Sequence, residues 1–258
     1  VNEYDRILNE VVKPIDDYQE RLNLINTQIN DITHKLFANN YELEELTGDV
    51  NAVRNNRRIV VSQDIEQDIK QRIILHTNWR YPALEIGCRD GERTQYMVAA
   101  DPLYIVDRFP EFLASTNGRF PEAYQNRLRK YPLNNHDLSA LPQNQMAFVF
   151  SWGYFNYVSM DTMKQYLKQI FGLLRPGGVF MFSYNDGDTP SGAGMAENFS
   201  QSYLPKSLLV SLCESLGYNI VHDCSYGTNI TWLEIQKPGE LQTIKAHQVL
   251  GEIKVREN

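Results

Sequence analysis

The chain has 258 residues, 42% of them hydrophobic, and a formal net charge of −7 at pH 7. That length supplies one domain of ordinary size plus an appendage, and the acidic balance argues against general nucleic-acid binding. No stretch approaches the ~20 apolar residues of a membrane span, and three scattered cysteines (Cys88, Cys213, Cys224) show no metal-ligand spacing. Such cysteine usage suits a reducing compartment. With no signal-peptide pattern at the start, the expected location is the cytoplasm.

The first sixty residues carry a heptad-like stripe. Apolar residues recur in alternating steps of four and three, from Tyr4, Leu8, Val11, Ile15, Tyr18 and Leu22 through Ile25, Ile29, Ile32 and Leu36. The register continues through Asn39, Leu43, Leu46, Val50, Val53, Arg57 and Val60, with only Asn39 and Arg57 polar. A sustained 3.5-residue period is that of a left-handed coiled coil. A continuous helix of this length would reach on the order of 85 Å, too long for a small domain to cover. Residues 1–61 are therefore expected to be an oligomerisation arm, with a firm helix over residues 15–53 that Pro14 starts or kinks. Leu or Ile at a with Ile at d favours trimers or tetramers over dimers, so a parallel trimer is the expectation. A hairpin breaking near Asn39 or Gly48 is the alternative.

Residues 62–75 place Ile65, Ile69, Ile73 and Ile74 at helical spacing, which predicts a helix packed on the following domain. Next comes an apolar run ending in Glu85-Ile-Gly-Cys-Arg-Asp-Gly91, followed by a helix-like stretch over residues 92–100. Strand, glycine turn and helix together aim backbone N–H groups at a ligand. Glu85 favours a ligand with hydroxyls or a cation over one with phosphates. A second apolar run closes on Asp107, where an acid can accept hydrogen bonds from both hydroxyls of a ribose. A nicotinamide site would need Gly-x-Gly-x-x-Gly, and that pattern is absent. Cys88, inside the turn, reads as a small apolar filler rather than a nucleophile.

Over residues 80–237 the sequence resembles the class I S-adenosylmethionine-dependent methyltransferases. Glu85-x-Gly87-x-x-x-Gly91 is similar to that family's first motif, and Asp107 to its ribose-holding acid. Asp137 and Leu138 resemble its third-strand turn, where an acid and the next N–H meet adenine. Residues 146–151 read as the fourth strand. Residues 173–178, Leu-Leu-Arg-Pro-Gly-Gly, lead into the fifth, and residues 208–217, 218–221 and 230–235 read as the last helix and hairpin. The resemblance implies a seven-stranded, mostly parallel, doubly wound α/β sheet over residues 62–237, with S-adenosylmethionine as cofactor and no metal. The cofactor contacts it implies are Glu85, Gly87, Cys88, Arg89, Gly91, Asp107, Arg108, Asp137, Leu138 and Ser151. One departure stands out, since Arg89 occupies the place of the motif's middle glycine.

Methyl transfer demands mainly alignment of an acceptor lone pair, with a base when the acceptor is a hydroxyl or a protonated amine. Candidates follow the fourth strand (Tyr154, Asn156) and the fifth (Asp186, the only carboxylate there). Capping a turn is the plainer role for Asp186, as core or surface packing is for His136. Residues 187–194, rich in glycine, read as a loop near the acceptor. Ser151-Trp-Gly-Tyr154 lacks the prolines and amide of the amino-DNA methyltransferase motif, which with the acidic charge disfavours DNA. An O or N atom of a small molecule or sugar is the expected acceptor, and a protein side chain remains open. Residues 238–258 read as a docking tail. The alternative reading is a structural subunit of a large assembly, such as a virus particle, contacting other subunits through arm and tail with a vestigial or secondary methyltransferase domain.

Overall fold

The computed structural model describes residues 59–198, 200–226 and 230–241, with residues 2, 3, 13, 18–25, 27 and 28 nearer the start. The chain divides into two units, Val1–Asp49 and Val50–Asn258. In the first, residues 3, 13, 18–25, 27 and 28 are helical, and the seam residues Tyr18, Leu22 and Ile25 are exposed. Other seam positions up to Arg57, and the tail beyond Leu241, lie outside the described residues, and with them the expected trimer and docking tail. Val60, the last seam position, lies in a non-helical stretch.

The second unit opens with α1 (Gln63–His76), capped by Ser62, whose hydroxyl accepts from the Ile65 amide. Then follow β1 (Ala83–Ile86), a 3₁₀ turn (Thr94–Met97), β2 (Leu103–Asp107), α2 (Pro110–Gly118), α3 (Glu122–Gln125), β3 (Leu128–Pro132) and β4 (Met146–Ser151). A second 3₁₀ turn (Phe155–Tyr157) precedes α4 (Met160–Leu173), β5 (Leu174–Tyr184), α5 (Pro190–Glu197), α6 (Lys206–Ser215), β6 (Asn219–Ser225) and β7 (Thr231–Gln236). The strands form one sheet in the order β3-β2-β1-β4-β5-β7-β6. Strands β1 to β5 pair in parallel, and β7 runs antiparallel between β5 and β6. Chain direction across the sheet reverses its order between β1 and β4, so the crevice at a topological switch point opens at their carboxyl ends.

Period-two alternation divides the core between two faces. Leu84, Ile86, Val149, Phe180, Phe182 and Leu233 pack with Tyr166, Leu167 and Ile170 of α4. Ala83, Phe148, Phe150, Met181 and Trp232 pack with Ile69 and Ile73 of α1. This second face also buries an ion pair. Glu234 of β7 is fully buried and accepts from Arg72 Nε at 2.6 Å, from Arg72 Nη2, and from His76 Nε2 at 2.7 Å. Burial alone would raise its pKa, but the His76 and Arg72 hydrogen bonds and charges outweigh that and hold it at about 2. The His76 ring in turn stacks on Phe148, with centroids 5.3 Å apart. A helix outside the methyltransferase-like pattern is thereby tied to the middle of the sheet.

Two sequence expectations are corrected here. Residues 92–100 form only the short 3₁₀ turn, not a helix, because Pro102 closes the segment after ten residues and Thr94 is drawn inward to Glu85. Residues 187–194 are not a loop throughout. Thr189 caps α5, its hydroxyl accepting from the Gly192 amide at 3.0 Å, with Pro190 at the first helical position. Threonine followed by proline is a helix-start signal, outweighed in the sequence reading by the glycine count.

Candidate active site

The turn after β1 is held by its own backbone and by β2. Gly87 donates to Val106 O at 2.9 Å and Gly91 to Cys88 O at 2.8 Å. Both glycines have positive φ (73° and 74°), and so does Arg89, at 49°. A side chain in that region costs about 1–2 kcal/mol. Here Arg89 N donates to Asp107 Oδ2 at 3.1 Å and Arg89 O accepts from Thr116 Oγ1 at 2.8 Å. The missing middle glycine is thus replaced by a braced left-handed arginine, and the turn keeps its course.

Glu85 and Asp107 sit at the carboxyl ends of β1 and β2, 3% and 4% exposed. Burial pushes the Glu85 carboxyl up to about 8, against the lowering effect of its Thr94 hydrogen bond and of Arg93. Asp107 rises to about 6, again through burial, moderated by the amides of Phe109 and Arg89. Glu85 is therefore neutral when folded and ionised when unfolded between about pH 4.5 and 8. Folded protein then binds the extra proton, so stability falls as pH rises through that window. Glu85→Gln is accordingly expected to raise the unfolding free energy by about 2–3 kcal/mol at pH 7 and by almost nothing at pH 4. Urea titrations of both proteins at the two pH values check this, and an equal difference at both would refute it.

A cleft of about 270 Å³ opens beside the turn, lined by Ile59, Glu85, Gly87, Cys88, Arg89, Asp90, Glu92, Arg93, Trp152 and Gly153. Arg93 spans it. Its guanidinium lies 4.9 Å from the Trp152 ring centroid and its Nη2 pairs with Glu66 of α1. Arg93 Nε and Trp152 Nε1 are buried donors with no hydrogen-bond partner among the described residues. A buried unpaired donor costs about 1–3 kcal/mol, and two on residues that line one cleft suit an anion such as a carboxylate. Sequence reading passed over Ile59, Asp90, Glu92, Arg93 and Gly153 as site residues. A cation two residues past Gly91 was the available signal, and nothing in the sequence tied α1 to the cleft.

The remaining sequence-named residues are brought to different places. Cys88 is buried at the cleft, its thiol pushed well up by burial and by Asp107 and Glu85, which suits a filler. Ser151 is buried and its hydroxyl donates to Ile86 O at 2.8 Å, stapling β4 to β1. Asp137 is exposed and accepts from the amide and hydroxyl of Ser139, while the Leu138 amide donates to Gln169 Oε1 at 2.7 Å. Arg108 Nη2 lies 3.3 Å from His136 Nε2, whose pKa falls to about 4 through burial and the Arg108 charge. Tyr154 reaches from β4 to Gly87: a Cβ on that glycine would stand 2.8 Å from Tyr154 Cδ2. Asn156 is interior, accepting from Ser183 Oγ at 2.8 Å and donating to Gln201 Oε1 at 3.1 Å. Asp186 Oδ1 accepts from the amides of Asp188 and Lys206, each at 3.0 Å, and so caps a turn and the start of α6.

This strand order, with a reversed seventh strand, a glycine turn after β1 and an acid closing β2, is the Rossmann-like methyltransferase fold. Residues 84–180 match the family model described as a methyltransferase domain. Among solved structures, the S-adenosylmethionine dependent methyltransferase from Mesorhizobium loti is 12% identical with a TM-score of 0.54, over 66% of this chain and 97% of that one. Geranyl diphosphate C-methyltransferase from Streptomyces coelicolor A3(2), solved with Mg2+, geranyl diphosphate and S-adenosyl-L-homocysteine, is 9% identical with a TM-score of 0.56, over 67% and 79%. The CcbJ methyltransferase from Streptomyces caelestis is 12% identical with a TM-score of 0.55, over 67% and 89%. At these identities the likeness is one of fold. No curated protein sequence matches the chain. No helix among the described residues is long and apolar enough to cross a membrane.

Proposed function

We propose that this protein transfers a methyl group from S-adenosylmethionine to an O or N atom of a small molecule or sugar, a protein side chain being a further acceptor class. The observation that carries the reading is the pair of orphaned donors, Arg93 Nε and Trp152 Nε1, in a cleft that also holds Glu85. These residues fit the amino-acid end of the cofactor: its carboxylate against the two donors, its ammonium toward Glu85. When bound, the sulfonium supplies an already activated methyl group. The chain's own part is then to orient and desolvate rather than to activate. Asp107, at the end of β2, offers a carboxylate to ribose hydroxyls, and an ammonium beside Glu85 would draw off the proton that burial retains there. Of the candidates that follow β4 and β5, Tyr154 packs directly on Gly87 at the glycine turn. Asn156 joins the side chains of Ser183 and Gln201, and Asp186 caps the start of α6.

Arg93→Met is expected to weaken S-adenosylmethionine binding about 10- to 100-fold, the worth of one or two charge-assisted hydrogen bonds. Calorimetric titration of parent and variant measures it. Equal affinities would remove the carboxylate assignment, and absence of saturable binding to the folded parent would remove the cofactor reading itself.

A further inference from the structure

The crevice between β1 and β4 is open on one side of the glycine turn and filled on the other. On the open side lie Arg93 and Trp152. On the filled side is the Tyr154 ring, so near Gly87 that a methyl group there would clash with Cδ2, Cβ and Cγ together, at 2.8, 3.0 and 3.1 Å. The close approach that a glycine permits is taken here by the protein's own tyrosine.

That ring is fastened at its far end. Tyr154 Oη lies 2.8 Å from Tyr166 Oη, Tyr166 Oη 3.1 Å from His136 Nδ1, and His136 Nε2 3.3 Å from Arg108 Nη2. A guanidinium only donates, so His136 Nε2 accepts and its Nδ1 carries the hydrogen. His136 then donates to Tyr166, and the Tyr166 and Tyr154 hydroxyls share a further hydrogen bond. The chain draws on the ends of β2, β3 and β4 and on α4, and ring contacts reinforce it: Tyr154 meets Tyr166 and Phe155 edge to face, at 5.7 and 5.3 Å between centroids. Nearby groups that could receive a nucleoside already carry bonds within the protein. Asp107 accepts from two backbone amides, and the Leu138 amide is bonded to Gln169.

We propose that Tyr154 is an internal latch that closes the nucleoside half of the cofactor crevice, held shut by Tyr166, His136 and Arg108, while the amino-acid half stays open. The inference rests on the cofactor reading above. Entry of the nucleoside requires the ring to leave Gly87 and give up its bond to Tyr166. Only the open fraction of molecules binds, so the apparent dissociation constant equals the intrinsic one divided by that fraction. Weakening the latch therefore tightens binding.

The test titrates S-adenosylmethionine and S-adenosylhomocysteine into the parent, Tyr166→Phe and Tyr154→Ala by calorimetry, with thermal melts to confirm folding. Tyr166→Phe removes one hydroxyl and keeps the ring, so it reads the latch even where Tyr154→Ala folds poorly. The expected result is about 5-fold or more tighter binding for Tyr166→Phe and about 10-fold or more for Tyr154→Ala. Equal or weaker binding by both folded variants would overturn the latch and leave the cofactor reading standing. No binding by any of the three folded proteins would overturn both.

Discussion

Glu234→Ala is expected to lower the unfolding free energy by about 3–5 kcal/mol, the loss seen when one partner of a buried ion pair is removed. Glu234 is fully buried on β7 and is the acceptor for both Arg72 and His76 of α1. Without it, two polar side chains remain against a face built from Phe148, Trp232 and Met181. Arg72 keeps partial access to water, which places the effect nearer the lower end. A domain of this size should then melt roughly 10 °C earlier. Acid should act through the same group. Its folded pKa of about 2 lies below its ordinary value of 4.5, so its contribution is complete above pH 4.5 and is lost as pH falls toward 2. Parent and variant stabilities should converge across that window, as urea melts at pH 7, 4 and 2.5 would show; a constant difference would refute the assignment. The consequence extends to the cleft, because α1 also carries Glu66, the partner of Arg93.

Asp107→Ala is expected to weaken S-adenosylmethionine binding at least 100-fold. Two losses combine. One is the carboxylate proposed to take the ribose hydroxyls, with hydrogen bonds to a charged acceptor worth about 1.5–3 kcal/mol each. The other is the brace on the glycine turn, since the same carboxylate accepts from Arg89 N and Phe109 N. Without that brace, the left-handed arginine is free to relax and the turn loses its shape. Asp107→Asn keeps the volume and half of the acceptor capacity, so it should fall between parent and alanine. Calorimetry on all three ranks them. An alanine variant that titrates like the parent would show that neither the brace nor the carboxylate matters for binding.

Much of the enzyme-like unit was legible because its signals are local. Glu85, Gly87, Gly91 and Asp107 announce a turn and two strand ends by residue type and spacing alone. Ser62 and the Ile65–Ile69–Ile73 spacing mark α1, although Ile74, assigned to the same face, proves exposed. The resemblance located the turn after the third strand at Asp137, but β3 itself was not delimited because Arg129, Lys130 and Pro132 are exposed on an edge, leaving only Leu128 as a fully apolar mark. Asp186 shows the opposite limit. Its position after β5 fits a catalytic base, yet two amides, one of them at the start of α6, claim the same oxygen.

By itself, then, the sequence determined α1, the glycine turn and the acids that end β1 and β2. Each of these depends on backbone preferences and hydrophobic period within a few residues. Tertiary structure alone decided which donors are left unpaired in the cleft, which carboxylate is buried beneath α1, and what fills the space over Gly87. Arg93 meets Trp152 and Glu66 across long stretches of chain, and Tyr154 meets Gly87, and through Tyr166 reaches His136, only because the ends of β1, β3 and β4 converge with α4. Pairings of that kind follow from desolvation and packing in three dimensions, which no local pattern encodes.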